Sequence, residues 1–141
     1  MAGEKIPTLY CWGIHVDGLN IYLASSARGA VRVGTSLRKA LDCRAYFRAA
    51  LPFGELVRDE DMNRHLIIAV KAALTNEPAL INLPLDISAT PFQIMAWKAI
   101  TRIPYGETRT YGEVAQMVNR PLGARAVGQA MGRNPLPLIF P

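Results

Sequence analysis

The chain has 141 residues, half of them apolar and 19% charged, with 16 basic against 11 acidic side chains. That size and apolar share suit one medium or two small cores, and they exclude a disordered chain, a collagen-like repeat and a coiled coil. No apolar run approaches the roughly 18 residues of a membrane helix, so no membrane is expected as a partner.

In chain order, Tyr10, Trp12, Ile14 and Val16 alternate with Cys11, Gly13 and His15, the period of a half-buried strand. Asp17-Gly18 accepts the positive φ of a tight hairpin turn, and Leu19, Ile21 and Leu23 continue the alternation on a returning strand. Ser25 to Gly29 read as a loop, and Val31 and Val33 mark a third strand. The economical arrangement is a three-stranded antiparallel meander. Helical spacing takes over at Ser36, an expected N-cap, with Leu37, Ala40, Leu41 and Phe47 inward, until Pro52-Phe53-Gly54 breaks it. A second helix is predicted from about Glu60 to Thr75, with Met62, Leu66, Ala69, Val70 and Ala73 as its apolar stripe. Asn76 to Ile87 holds Pro78 and Pro84 without a sustained period and reads as a linker.

Beyond it the punctuation sharpens. Thr90-Pro91-Phe92-Gln93 fits a capping box with proline at the first helical position. Phe92, Met95, Ala96, Ala99, Ile100 and Ile103 follow at helical spacing, and Pro104-Tyr105-Gly106 ends the run. A second capping box, Thr110-Tyr111-Gly112-Glu113, leads a short helix with Val114, Met117 and Val118 inward. After Asn119-Arg120-Pro121 a third helix spans roughly Leu122 to Gly132. Two short helices joined by a tight turn outline a helix-turn-helix, although ordinary helical domains contain the same corner.

Charge follows this division. Residues 1–86 hold 10 basic and 9 acidic side chains, whereas residues 87–141 hold 6 basic and 2 acidic ones. A basic segment beside a neutral one points to a polyanionic partner. Twelve of the 16 basic residues are arginine, which suits bidentate contacts to phosphates and base edges, while GC-rich coding produces the same bias.

The third helix contradicts propensity. Gly123, Gly128 and Gly132 lie in it or at its ends, each interior glycine costing about 1 kcal/mol against alanine. Ala124, Ala126 and Ala130 leave its surface nearly bare, while Val127 and Met131 face the core. Small residues serve either tight helix–helix packing or the close approach of something bulky. Arg125 protrudes among them, either as a solvated surface charge or as a cation for stacked bases in a narrow groove.

The run TPFQ, IPYGETRTYGEVA, ARAVGQAM and NPLPLIFP, in that order and spacing, closely resembles the C-terminal domain of the 6-O-alkylguanine-DNA alkyltransferases, also called methylated-DNA–protein-cysteine methyltransferases. The resemblance covers residues 84–141 strongly and is loose before them. It implies a ribonuclease-H-like α/β domain over residues 1–85, linker included. An all-α DNA-binding domain over 86–141, with a winged-helix-like helix-turn-helix, would follow. The implied partner is double-stranded DNA, bound as a monomer through the minor groove. By position Arg125 resembles the finger that fills the gap left by a flipped guanine. Tyr111 resembles the tyrosine that crowds the neighbouring phosphate. Asn134 resembles the asparagine that ties the recognition helix to the active-site strand. Gly123, Ala124, Ala126 and Gly128 would form the groove-facing floor.

One departure stands out. In the family, LIFP or its equivalent precedes Cys-His-Arg, whose thiolate takes the alkyl group in a one-way transfer; this sequence stops at Pro141, so the acceptor would follow it. Leu136, Leu138, Ile139 and Phe140 read as a core-like strand with no polar exit. The expectation is that the 141 residues are inactive in transfer and that the next codon is a stop read elsewhere as selenocysteine. Truncation, a frameshift and a pseudoenzyme are the competing explanations. A non-enzymatic binder of alkylated DNA, similar to the alkyltransferase-like proteins, is the alternative function, and a residual fragment is a third.

No dissociable cofactor is implied. His15 and His65 lack metal-ligand spacing with any cysteine, so no metal is expected, although some relatives carry a structural zinc in the first domain. No phosphate-binding glycine loop, serine elbow or dinucleotide fingerprint occurs. Cys11 and Cys43 make no disulfide framework and read as buried structural thiols. With no basic-then-apolar leader in MAGEKIPTLYCWG, the expected location is cytoplasmic.

Overall fold

The computed structural model describes residues 8–51, 54–76 and 83–140. The chain divides into two compact units, Met1–Ile87 and Ser88–Pro141. Among the described residues no helix is long and apolar enough to cross a membrane.

The first unit opens with β1 (Thr8–Val16), β2 (Leu19–Ser26) and β3 (Gly29–Ser36). Asp17 and Gly18 both adopt positive φ, 49° and 83°, the geometry of a two-residue hairpin that matches strand twist, and Val16 pairs with Leu19 across it. The sheet is nevertheless four-stranded and mixed, not the predicted three-stranded antiparallel meander. β4 (Glu55–Arg58) runs parallel to β1, in the order β3-β2-β1-β4. Four residues between breakers carry no readable period, which is why this strand escaped the sequence. β2, with a neighbour on each side, is buried over Asn20–Ser25.

The helix expected from Ser36 is also corrected. Ser36 is still sheet, paired with Asn20, and Leu37 and Leu41 are 82% and 56% exposed. The helix, α1, covers only Cys43–Phe47, because the first effective cap is Asp42, whose carboxylate accepts from the Arg44 backbone N–H. α1 buries Cys43 and Phe47 against Cys11, Tyr22 and Ala24. Tyr46 stacks on Tyr22 with centroids 3.9 Å apart. By strand alternation Ile21 and Leu23, both fully buried, project from the opposite face.

A short 3-10 turn, Asp61–Asn63, precedes α2 (Arg64–Leu74), which packs on β2. Leu66, Ala69 and Val70 of the predicted stripe are buried, whereas Met62 is 38% exposed. Asn76 takes φ 60° just past the helix, a left-handed C-terminal stop. The predicted linker is in part integral to this unit; its residues 77–82 lie outside the described ones. Ala30 donates to the Pro84 carbonyl and accepts from the Asp86 N–H, and the Ser26 hydroxyl donates to the Asp86 carboxylate. Gly29 makes this approach possible, since a Cβ there would stand 2.5 Å from the Pro84 carbonyl.

The second unit contains α3 (Pro91–Ile100), α4 (Tyr111–Met117) and α5 (Ala124–Gly132). The Thr90 box is present in both halves, with Pro91 opening α3. Ala96, Ala99 and Ile100 are buried as predicted, but Met95 is 40% exposed and Trp97, absent from the predicted stripe, is buried.

Inside the first unit, burial and then the hydrogen bond to Cys43 push the Cys11 thiol up to about 12 from 9.0. The folded chain therefore holds this proton more tightly than the unfolded chain does. The resulting stabilisation is complete below pH 9 and is lost as pH rises towards 12. Between pH 8 and 11 the urea midpoint of the wild-type chain should fall further than that of Cys11→Ala. Parallel pH profiles for the two proteins would contradict this.

Candidate nucleic-acid interface

Local sequence fixes the corner between α4 and α5. The Thr110 hydroxyl accepts from the Glu113 N–H at 3.1 Å and donates to the Glu113 carboxylate at 3.3 Å. This is the N-cap half of the predicted box, with the glutamate turned to the hydroxyl. Asn119 then reverses the chain at φ 58°, helped by the Arg120 N–H donating to the Ala115 carbonyl at 2.8 Å. Asparagine tolerates that left-handed conformation better than other side chains of its size.

α5 presents two different faces. Val127 and Ala130 are buried, whereas Arg125, Ala126, Gln129 and Gly132 are exposed. Arg125 has no ion pair among the described residues; the two acidic residues of this unit, Glu107 and Glu113, lie at 3.7 and 3.8 Å from Arg109. Gln129, four residues on from Arg125 and so on the same side of the helix, was not singled out from sequence, although that spacing was there to read.

The small residues of α5 have separate reasons. A Cβ on Gly123 would stand 2.9 Å from the Arg120 carbonyl oxygen, and one on Gly128 would stand 3.1 Å from two ring carbons of Tyr111. Gly132 meets nothing within 4 Å. Gly123, Ala124 and Gly128 are half-buried. Gly128 is thus a seat for the Tyr111 ring, which rests on α5 yet remains 53% exposed. The corner brings Tyr111 to α5, with Arg125 on the exposed side of that helix.

Asn134 closes the segment after α5. Its side-chain amide donates to the Phe140 carbonyl at 2.6 Å and its carbonyl accepts from the Leu136 N–H at 2.9 Å. The predicted strand at Leu136–Phe140 is instead a turn: Leu138 has φ 78°, and the Ile139 and Phe140 N–H groups both reach the Leu136 carbonyl. Leu136, Ile139 and Phe140 are buried nonetheless. Phe140 stacks on Trp97 at 5.7 Å, and the Trp97 indole N–H donates to the Ala130 carbonyl at 2.8 Å. Cys11 and Cys43 belong to the first unit, both buried.

An exposed cation and a half-exposed aromatic on a helix with little side-chain bulk are chemically suited to phosphates and to the flat faces of bases. Residues 91–141 match the family model described as 6-O-methylguanine DNA methyltransferase, DNA binding domain. The crystal structure of Mycobacterium tuberculosis O6-methylguanine methyltransferase superposes with a TM-score of 0.68 at 28% identity, covering 94% of this chain and 75% of that one. The M. tuberculosis OGT structure in complex with DNA gives 0.66 at 28% identity, over 95% and 74%. The fold is therefore that of the alkyltransferases. The inducible methylated-DNA–protein-cysteine methyltransferase of Bacillus subtilis (strain 168) is 32% identical over 135 residues, spanning 96% of this chain and 75% of that protein. The Mycobacterium leprae methyltransferase is 52% identical over 59 residues, 42% of this chain and 36% of its own length. The chain belongs to the methylated-DNA–protein-cysteine methyltransferase family.

Asn134→Ala removes two hydrogen bonds and leaves a main-chain N–H and C=O without their partner. It should destabilise the second unit by about 2 kcal/mol. Urea unfolding followed by Trp97 fluorescence in a Trp12→Phe background measures this; an unchanged midpoint would show that the bracket is dispensable.

Proposed function

We propose that this protein acts in direct reversal of DNA alkylation, recognising 6-O-alkylguanine in double-stranded DNA for one-way transfer of the alkyl group to a cysteine or selenocysteine. In that reaction an anionic sulfur or selenium attacks the alkyl carbon, the carbon–oxygen bond breaks, and its electron pair returns to guanine. The observation that carries the reading is the exposed face of α5, where Arg125 stands without an ion pair among the described residues, in a chain of this family.

In this reading residues 1–85 are the ribonuclease-H-like domain and residues 86–141 the DNA-binding domain, with α4 and α5 as a winged-helix-like helix-turn-helix. A single copy binds, and α5 enters the minor groove. Ala126 and Gly132 allow close approach of the duplex, with Gly123, Ala124 and Gly128 completing the floor beneath. Arg125 fills the space of the extruded guanine, offsetting part of the few kcal/mol that extrusion costs. Tyr111 crowds the adjacent phosphate from the first turn of α4, and Asn134 holds the segment after α5. Gly128 contributes through Tyr111, because any side chain there must push the ring.

Neither Cys11 nor Cys43 serves as acceptor. Both are buried in the first unit, and the raised Cys11 pKa keeps that thiol neutral, whereas transfer needs a thiolate. Their burial favours, for these 141 residues by themselves, the second reading: binding of alkylated DNA without transfer. After incubation with a 6-O-methylguanine duplex, mass spectrometry should find no methyl on either cysteine; a methylated Cys11 or Cys43 refutes the assignment.

Fluorescence anisotropy with methylated and unmodified duplexes tests recognition. Arg125→Ala and Tyr111→Ala should each weaken binding to the methylated duplex about tenfold, the scale of losing one stacking or cation contact. Gly128→Ala should weaken it in the wild type and have little further effect in Tyr111→Ala. Additive losses would instead mean that Gly128 meets DNA directly. Equal affinity of all variants would remove α5 from the interface.

A further inference from the structure

The only two cysteines of the sequence, 32 positions apart, face each other with sulfurs 2.7 Å apart. They lie inside one buried cluster with Tyr22, Ala24 and Phe47. Cys11 projects from β1 and Cys43 is the first residue of α1. Two thiols packed this closely gain little as a hydrogen-bonded pair, because sulfur is a weak donor and a weak acceptor. A metal does not account for the pair either: among the described residues no group of three or more histidine, cysteine or acidic side chains stands together to hold an ion, and a structural zinc takes four ligands. His15, the nearest histidine in sequence to Cys11, directs its Nδ1–H to the side-chain Oδ1 of Asn20 at 2.8 Å.

The two sulfurs are not equivalent. Cys43 lines a cavity of about 410 Å³ together with Gly13, His15, Tyr22, Asp42 and Arg58, whereas Cys11 does not reach its wall and is fully buried. A small, neutral oxidant entering this cavity meets Cys43 first and has Cys11 directly behind it.

We propose that Cys11 and Cys43 form a peroxide-sensitive dithiol, in which Cys43 is the sulfur oxidised first and Cys11 the one that resolves it into an intramolecular disulfide. In the first step the Cys43 sulfur takes one oxygen of hydrogen peroxide. The O–O bond breaks, and the departing hydroxide leaves as water with the thiol proton, giving a sulfenic acid. In the second step the Cys11 thiol, neutral in its buried setting, passes its proton to the sulfenic hydroxyl as its sulfur attacks the Cys43 sulfur. An S–S bond forms, the S–O bond breaks, and the hydroxyl departs as a second water carrying the Cys11 proton. Two thiols and one peroxide thus become one disulfide and two waters. The product ties β1 to the start of α1 and closes a loop that contains two strands, which restricts the unfolded chain far more than the folded one.

The test uses the full 141-residue chain, folded and in 6 M urea, with peptide mapping by mass spectrometry. Treating the folded chain with hydrogen peroxide should give a Cys11–Cys43 crosslinked peptide lacking two hydrogens. In Cys11→Ala a sulfenic acid reagent such as dimedone should label Cys43; in Cys43→Ala, Cys11 should stay unlabelled. Equilibration with reduced and oxidised glutathione should place the effective concentration of the pair about 100-fold higher in the folded chain than in urea. By linkage, that ratio equals about 2.7 kcal/mol of added stability, so the oxidised chain should melt at least about 10 °C higher. Preferential labelling of Cys11 overturns the order of attack. Thiols that stay free when folded but oxidise in urea, crosslinks between chains, or a melting point lowered by oxidation each overturn the proposal.

Discussion

A single buried hydrogen bond organises the second unit: the Trp97 indole N–H donating to the Ala130 carbonyl. It joins α3 to the last turn of α5, where the Ala130 carbonyl also accepts from the Arg133 N–H that ends the helix and so uses both of its lone pairs. The indole is almost wholly buried, so its N–H has no water to fall back on, and leaving it unpaired would cost about 1–3 kcal/mol. The same ring stacks on Phe140, so one side chain holds α3, α5 and the segment that Asn134 brackets. The tilt at which α5 shows Arg125 to solvent is therefore set from beneath, by a residue that never reaches the surface.

Elements specified by a few adjacent residues were legible in the sequence; those specified across the chain were not. The Asp17-Gly18 hairpin, the Thr90 box with Pro91, the Thr110 cap and the Asn119 turn are local bargains between a side chain and its own backbone, and each stands where its residues predict. β4 exists because β1 offers it a parallel partner, which four residues cannot announce. The start of α1 was misplaced because Ser36 and Asp42 are both plausible caps, and pairing with Asn20 claimed Ser36 for the sheet. Trp97 is missed because the apolar stripe of α3, counted from Phe92, takes Ala96 and Ala99 and steps over the position after Ala96.

The sparse surface of α5 shows how one composition serves two demands. Gly123 and Gly128 are explained from inside the unit, by the Arg120 carbonyl and the Tyr111 ring, while Ala126 and Gly132 stand open to solvent. A sequence reader sees one run of small residues. The structure separates those that make room for a neighbouring group of the same unit from those that stand open to solvent. In both roles what matters is the volume left empty.

The strip around Pro84–Asp86 that binds alongside Ala30 has a consequence for the fate of the protein in a crowded cell. β3 is an outer strand, and unpaired main-chain donors and acceptors on such a strand recruit other chains into aggregates. Here the protein supplies its own short stretch of backbone to occupy part of that rim, and Gly29 is what lets it come close enough. The opposite rim is protected by brevity, since a four-residue strand offers little template. An alanine at position 29 would therefore expose a sticky border, and its harm would show as insolubility at high concentration.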